Sequence, residues 1–134
     1  MMTLFYNEPA GKLLLRLGLA TTLLLHGIAK VGNSDAVAHI GTRLQQWGVP
    51  GQGAWLVFVG ELVAPLMILL GWRARLGGGL AAINMLVAIV LFKLDALFSL
   101  NRVGGWSIEL EVLLLCAALA VLFIGSGRYA VRPD

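Results

Sequence analysis

The sequence predicts an all-α membrane protein of one domain, residues 1–134: a four-transmembrane-helix bundle with a short amphipathic interfacial helix between helices 1 and 2. The chain is 59% hydrophobic and only 13% charged, whereas a soluble domain of this size would expose many more charged side chains. Its apolar residues fall into four long stretches, approximately 12–31, 54–72, 76–94 and 106–124. Each approaches the ~20 residues that a helix needs to cross a hydrocarbon core about 30 Å thick.

The link between the first two stretches is too polar to cross a membrane, yet it has the pattern of a helix. Asn33 supplies N-cap chemistry at its start, and Gly48 and Pro50 end it. An apolar stripe of helical period runs along it, formed by Val37, Ile40, Leu44 and Trp47. This segment is the predicted amphipathic helix, lying on the membrane surface.

The second and third stretches are joined by only a few residues around positions 72–75, which predicts a tight antiparallel hairpin. Three consecutive glycines, residues 77–79, open the third stretch. In lipid such small residues let helix backbones approach closely. Asn84 lies near the middle of this stretch, and we expect it to hydrogen-bond to a neighbouring helix.

The basic residues indicate lipid rather than nucleic acid as the partner. The ten Lys and Arg residues are scattered singly, with no run or basic face, so anionic headgroups are the expected neighbours. We expect Lys12 and Arg16, near the start of the first stretch, to snorkel toward those headgroups. Six of the ten lie on the side of the two termini and four on the other, which predicts a multi-pass protein with both termini in the cytoplasm.

Ionisable residues converge on one half of the predicted bundle. If the stretches cross in turn, His26 and Lys30 at the end of the first meet Glu61 in the second and Glu109 in the fourth. His26 and Lys30 share a helix face because they are four residues apart. Glu111, two residues after Glu109, cannot face the bundle axis together with it. Charge inside a bilayer is costly and is seldom retained without a partner or a task, so these four residues are the predicted ligand-binding or proton-handling site.

Pro65 marks Glu61 as the central residue of that site. A proline cannot donate to the carbonyl four residues before it, and here that carbonyl belongs to Glu61. The pattern predicts a helix kink at Pro65 that presents the Glu61 carboxylate and its free carbonyl together. Glu61 could equally form an ion pair with Lys30 that only joins two helices.

The sequence lacks the patterns of metal, dithiol and bis-histidine haem sites. No Glu-x-x-His, His-x-x-x-His or Cys/His cluster occurs, so no metal site is predicted. Cys116 is the only cysteine, and the second histidine, His39, belongs to the polar link, so neither a dithiol nor a bis-histidine haem is expected. No intrinsic cofactor is therefore predicted, and any electrons must come from a bound cofactor or a partner.

An ordered set of short motifs resembles the DoxX family of small four-helix bacterial inner-membrane proteins. The matching segments are Arg16-Leu17-Gly18, His26-Gly27-Ile28-Ala29-Lys30, Gly48-Val49-Pro50, Glu61, Leu70-Gly71-Trp72-Arg73-Ala74-Arg75, Asn84-Met85, Gly104-Gly105-Trp106, Glu109 and Gly125-Ser126-Gly127-Arg128-Tyr129. Ser126 stands where the family usually has proline. The resemblance implies location in the bacterial inner membrane, and it places the family motif on His26, Lys30, Glu61 and Glu109.

The resemblance implies no single activity, since some relatives are associated with quinone-linked sulfur oxidation or with thiol systems. The first hypothesis is the membrane subunit of a quinone-linked oxidoreductase system, with quinone as ligand and a soluble or membrane redox partner. A quinone head needs a hydrogen-bond donor and an acid or base to move protons. The alternatives are a small proton-coupled transporter, functioning as a homo-oligomer, and a non-catalytic membrane anchor for partner proteins.

Overall fold

The computed structural model describes residues 6–134, and this part of the chain is helical without a β-strand. The α-helices are α1 (Glu8–Val31), α2 (Ser34–Gln46), α3 (Ala64–Leu70), α4 (Ala74–Ala88) and α5 (Glu109–Ile124). A 3₁₀ helix, Gly51–Leu56, and a π-helical turn, Val59–Val63, lead into α3. A second π-helical turn, Ile89–Lys93, and a short 3₁₀ helix, Leu94–Ala96, follow α4.

Three helical segments of the described chain are long and apolar enough to cross a membrane. We call them span 1 (Glu8–Val31), span 2 (Gly51–Leu70) and span 3 (Ala74–Ala96). They match the first three predicted stretches. Helix α5 has 16 residues, a length of about 24 Å, so a fourth crossing stays a prediction.

Span 1 begins four residues earlier than predicted because Asn7 caps it. The Asn7 side chain accepts a hydrogen bond of 3.1 Å from the backbone N–H of Ala10, and Pro9 occupies the first turn, where its missing N–H costs nothing. The extension places Arg16 more than two turns inside the helix.

The predicted helix between spans 1 and 2 is present as α2. Asn33 caps it through a 3.2 Å bond from the backbone N–H of Ala36. Val37 and Gly41 are buried, and Gly41 packs against the backbone of Gly51 at the start of span 2. The position of α2 at a membrane surface stays a prediction.

Glycines let the helices pack closely, as the sequence predicts. A Cβ on Gly77 would lie 3.0 Å from the backbone oxygen of Ala64 in α3, and one on Gly78 would lie 2.7 Å from that of Ala118 in α5. Helix α4 therefore approaches α3 on one face and α5 on the other. The core of the bundle lies between these helices and α1; among its buried residues are Leu19, Leu23, Ile68, Ala81, Ala118 and Val121.

Residues 97–107 form a hydrogen-bonded hairpin at the end of span 3. The Trp106 indole N–H donates to the Leu97 carbonyl at 2.6 Å, and Ser107 N–H donates to the Ser99 carbonyl at 3.0 Å. Because this hairpin uses Trp106, α5 begins only at Glu109. For this reason the helix begins later than the predicted fourth stretch, which starts at residue 106.

Candidate functional site

The best-defined polar contact inside the bundle joins spans 1 and 2. Lys30 Nζ donates to Glu61 Oε2 at 2.7 Å. The Glu61 side chain is only 6% exposed, whereas that of Lys30 is 23% exposed. Lys30 and Glu61 therefore form the ion pair that the sequence allows, and its two members differ in access: the carboxylate is enclosed and the ammonium is partly open.

Asn84 of span 3 contacts the other oxygen of the same carboxylate. Its amide Nδ2 lies 3.4 Å from Glu61 Oε1, a long hydrogen bond. Gly60 makes this approach possible, because a Cβ there would collide with the Asn84 side chain. Asn84 is thus the neighbour-bonding residue that the sequence predicts, and three spans meet at one carboxylate.

The backbone at Glu61 is a π-helical turn. Glu61 lies within the turn Val59–Val63, and the Ala64 N–H donates to the Val59 carbonyl, five residues back. Pro65 follows in the first turn of α3. Isolated π-turns inside helices are frequent at functional sites. Here the turn takes the place of the predicted simple proline kink, and it carries Glu61 into the bundle.

The Glu61 carbonyl packs against span 1. A Cβ on Gly27 would overlap the Glu61 carbonyl oxygen. The carbonyl that the sequence predicts to be free is therefore covered by the Gly27 backbone.

His26 lies beside this contact, on the exposed side of span 1. It is one residue before Gly27, which turns it about 100° away from the residue that faces Glu61. His26 Nδ1 lies 2.9 Å from the Thr22 carbonyl oxygen. Because a carbonyl only accepts, Nδ1 is the donor, and Nε2 is an acceptor when the ring carries one proton. Nε2 has no hydrogen-bond partner among residues 6–134.

Glu109 does not join Lys30 and Glu61. It is exposed in the first turn of α5, and its carboxylate lies over Gly105 of the hairpin, where a Cβ would be 2.7 Å from Oε2. Glu111 is the half-buried acid of this helix, and it lies 3.7 Å from Lys93 Nζ at the end of span 3. The four predicted residues thus form an ion pair, a flanking histidine and a separate carboxylate at the start of α5.

Arg16 is buried, in an environment that differs from the one its sequence position predicts. It is 1% exposed, so the expected snorkelling is wrong. Nε donates to the Ile68 carbonyl at 2.8 Å and Nη2 to that of Leu69 at 3.1 Å. Nη1 donates to the carbonyls of Ser126 and Tyr129 at 2.9 and 2.7 Å. Arg16 satisfies carbonyls left open at the end of α3 and fastens residues 126–129 to spans 1 and 2.

Two surface grooves lie away from the Lys30–Glu61 pair. One, of about 300 Å³, separates α2 from the start of span 2. The other, of about 220 Å³, lies at the turn between spans 2 and 3. None of His26, Lys30, Glu61 and Glu109 lines either groove.

Comparison with known proteins identifies the family. The DoxX family model matches residues 11–94, more than half of the chain. The chain belongs to the DoxX family. The matched region contains Arg16, Lys30, Glu61 and Asn84 and ends before Glu109, so the three-span contact at Glu61 lies wholly within it. With its apolar spans, the chain is a DoxX membrane protein.

A curated Bacillus subtilis (strain 168) protein is 28% identical over 124 residues, which cover 92% of this chain and 85% of the relative. It is named "Putative oxidoreductase CatD". No solved structure matches the chain.

Proposed function

We propose that this DoxX protein is the membrane subunit of a quinone-linked oxidoreductase system and binds a quinone or quinol beside the Lys30–Glu61 pair. The observation that carries the proposal is a buried carboxylate whose ion-pair partner remains partly open, with a histidine acceptor four residues before that partner. The oxidoreductase name of the Bacillus relative supports the same class of reaction.

Two polar side chains, Lys30 and His26, match what a quinone head requires. Lys30 is a donor for a quinone carbonyl oxygen, and Nε2 of His26 is an acceptor for a quinol hydroxyl. Because Nδ1 is already bonded to the Thr22 carbonyl, the orientation of the ring is fixed and Nε2 points away from the helix backbone. A quinol that loses two electrons to a redox partner also loses two protons; His26 can take one of them, and the other passes to water at the membrane surface.

Burial of the Glu61 carboxylate explains why a cation lies in the proposed site. A carboxylate with little solvent contact needs a cation beside it, and Lys30 is that cation. The apolar faces beside it suit an isoprenoid tail, and His26 lies where a ligand could enter from the lipid. Binding sites of this kind combine mostly apolar walls with a few convergent polar groups.

Replacement of His26 tests the site without disturbing the bundle. We expect the wild-type protein in nanodiscs to bind a short-tail quinol analogue saturably, and His26→Phe to weaken binding roughly tenfold, the effect of about one hydrogen bond to a polar group. Ile28→Phe is the matched control, because Ile28 is 59% exposed on the same turn and offers no polar atom. Equal affinity of both variants, or no saturable binding by the wild type, would contradict the proposal and favour the membrane-anchor hypothesis.

We also propose that the protein lies in the bacterial inner membrane with both termini in the cytoplasm, which places Lys30 and the hairpin 97–107 toward the outside. Tyr6 and Val103 are 75% and 91% exposed and report the two sides. In a Cys116→Ser background, an impermeant thiol reagent added to intact cells should label Val103→Cys and leave Tyr6→Cys unlabelled. The reverse labelling would contradict the orientation.

A further inference from the structure

A basic groove lies at the opposite end of the bundle from Lys30, at the turn between spans 2 and 3. Arg73, Arg132, Pro133 and Asp134 line it, and its volume is about 220 Å³. It shares no residue with the proposed quinone site, so it represents a separate feature of the molecule.

The backbone holds the two arginines of this groove in place. Arg132 N–H donates to the Gly71 carbonyl at 3.2 Å, and Val131 N–H donates to that of Leu70 at 2.9 Å. Arg73 immediately follows the same turn, and its guanidinium carbon lies 5.1 Å from the centre of the Trp72 ring. The Arg73 and Arg132 side chains therefore project from a turn that hydrogen bonds hold in place, and the Arg73 guanidinium packs against the Trp72 ring.

The side-chain carboxylate of Asp134 in the groove already accepts from backbone groups, and its main-chain oxygen accepts from Arg75 Nε at 3.2 Å. Asp134 Oδ2 accepts from the Arg75 N–H at 3.1 Å and Oδ1 accepts from the Ser126 N–H at 3.2 Å. Within residues 6–134, neither Arg73 nor Arg132 forms an ion pair. The groove consequently presents two guanidinium groups without a paired anion.

This end of the bundle carries the aromatic side chains that are typical of headgroup depth. Trp72 and Tyr129 flank the turn and are 42% and 46% exposed, and Trp and Tyr concentrate at the membrane–water interface. Guanidinium groups bind phosphate oxygens through paired hydrogen bonds. We propose that the groove between Arg73 and Arg132 binds the phosphate of an anionic phospholipid headgroup.

Retention of lipid by the purified protein tests this site. Native mass spectrometry of protein exchanged into an equimolar mixture of phosphatidylglycerol and phosphatidylcholine should show roughly tenfold preference for phosphatidylglycerol. That preference corresponds to about 1.4 kcal/mol, which two basic side chains at a membrane surface suffice to supply. The double variant Arg73→Gln/Arg132→Gln should lose it, whereas Arg43→Gln/Arg102→Gln, with the same change in net charge at the other end, should keep it.

Two outcomes would overturn the proposal. Equal retention of the two lipids by the wild-type protein would show that the groove does not select an anionic headgroup, whatever the variants do. Release of bound phosphatidylglycerol by millimolar inorganic phosphate would assign the groove to free phosphate instead of lipid. Preference retained against added phosphate and lost only in the Arg73→Gln/Arg132→Gln variant supports the lipid site.

Discussion

Arg16 and Glu61 are both buried charges in the bundle, but the protein satisfies them in opposite ways. Arg16 is enclosed by four backbone carbonyl oxygens from two segments distant in sequence, and it is 1% exposed. Glu61 has one short ion pair with a partly open lysine and one long contact to an amide. Arg16 directs four of its five N–H donors to neutral backbone groups, whereas Glu61 depends on one lysine side chain.

This difference separates a structural charge from a functional candidate. Carbonyls that accept from Arg16 include those that a helix end leaves open, so the guanidinium completes the fold with four of its five N–H donors. Glu61 retains an exchangeable partner in Lys30, and a ligand that competes for Lys30 would change the environment of the carboxylate. For a charge buried inside a membrane, an incomplete set of hydrogen-bond and ion-pair partners is therefore a better indicator of function than a complete set.

Removal of Arg16 should have the largest effect on stability. Arg16→Met leaves four carbonyl oxygens without their donor, at about 1 kcal/mol or more for each, so we expect a loss of about 4 kcal/mol or more in the free energy of unfolding. Arg16→Lys should lose nearly as much, because an ammonium cannot reproduce the planar fork. Denaturant unfolding in detergent measures this, with the exposed Arg128→Met as control. A loss equal to that of the control would contradict the structural role.

Breaking the Lys30–Glu61 ion pair should cause the second-largest loss of stability. Lys30→Met strands a buried carboxylate and should cost about 3 kcal/mol. Glu61→Gln should cost less, because its partner Lys30 can reach water. The double variant should recover part of the combined loss, and the double-mutant cycle gives the coupling energy directly. Additive losses would show that the two residues are energetically independent.

The glycine contacts around Glu61 should have a smaller effect. Gly27→Ala and Gly60→Ala place a methyl group against the Glu61 carbonyl and the Asn84 side chain, which should cost about 1–3 kcal/mol each through overpacking. Gly18→Ala is the matched control in span 1, since nothing lies within 4 Å of its would-be Cβ. The control should gain about 0.5–1 kcal/mol from helix propensity. Thermal unfolding of the three variants, measured side by side, tests these expected changes in stability.

Local chemistry was predictable from the sequence. The cap at Asn33, the glycine packing of span 3, the amide contact of Asn84 and the Lys30–Glu61 pair all follow from spacing and from the rule that buried charges need partners. These features depend on residues in helices whose direction the apolar stretches already determine.

Other features depend on contacts that no sequence pattern encodes. Arg16 looked like an interfacial arginine because its acceptors are backbone carbonyls 52 to 113 residues away. The cap at Asn7 and the proline at position 9 were the available signal that it lies deeper. Glu109 is displaced because the hairpin 97–107 uses the residues that would have opened the fourth helix. Glu109 then lies at the helix start instead of within the bundle.

Quinol binding by the Lys30→Met/Glu61→Gln double variant tests most directly whether the ion pair is a ligand site or only a link between helices. The double variant keeps similar side-chain volumes and leaves no buried charge, so it should remain folded. We predict that in nanodiscs it binds the short-tail quinol analogue at least roughly tenfold more weakly than the wild type, since the lost charged contact contributes about 1.5–3 kcal/mol. Wild-type affinity in a folded double variant would contradict the account and leave the pair a purely structural link.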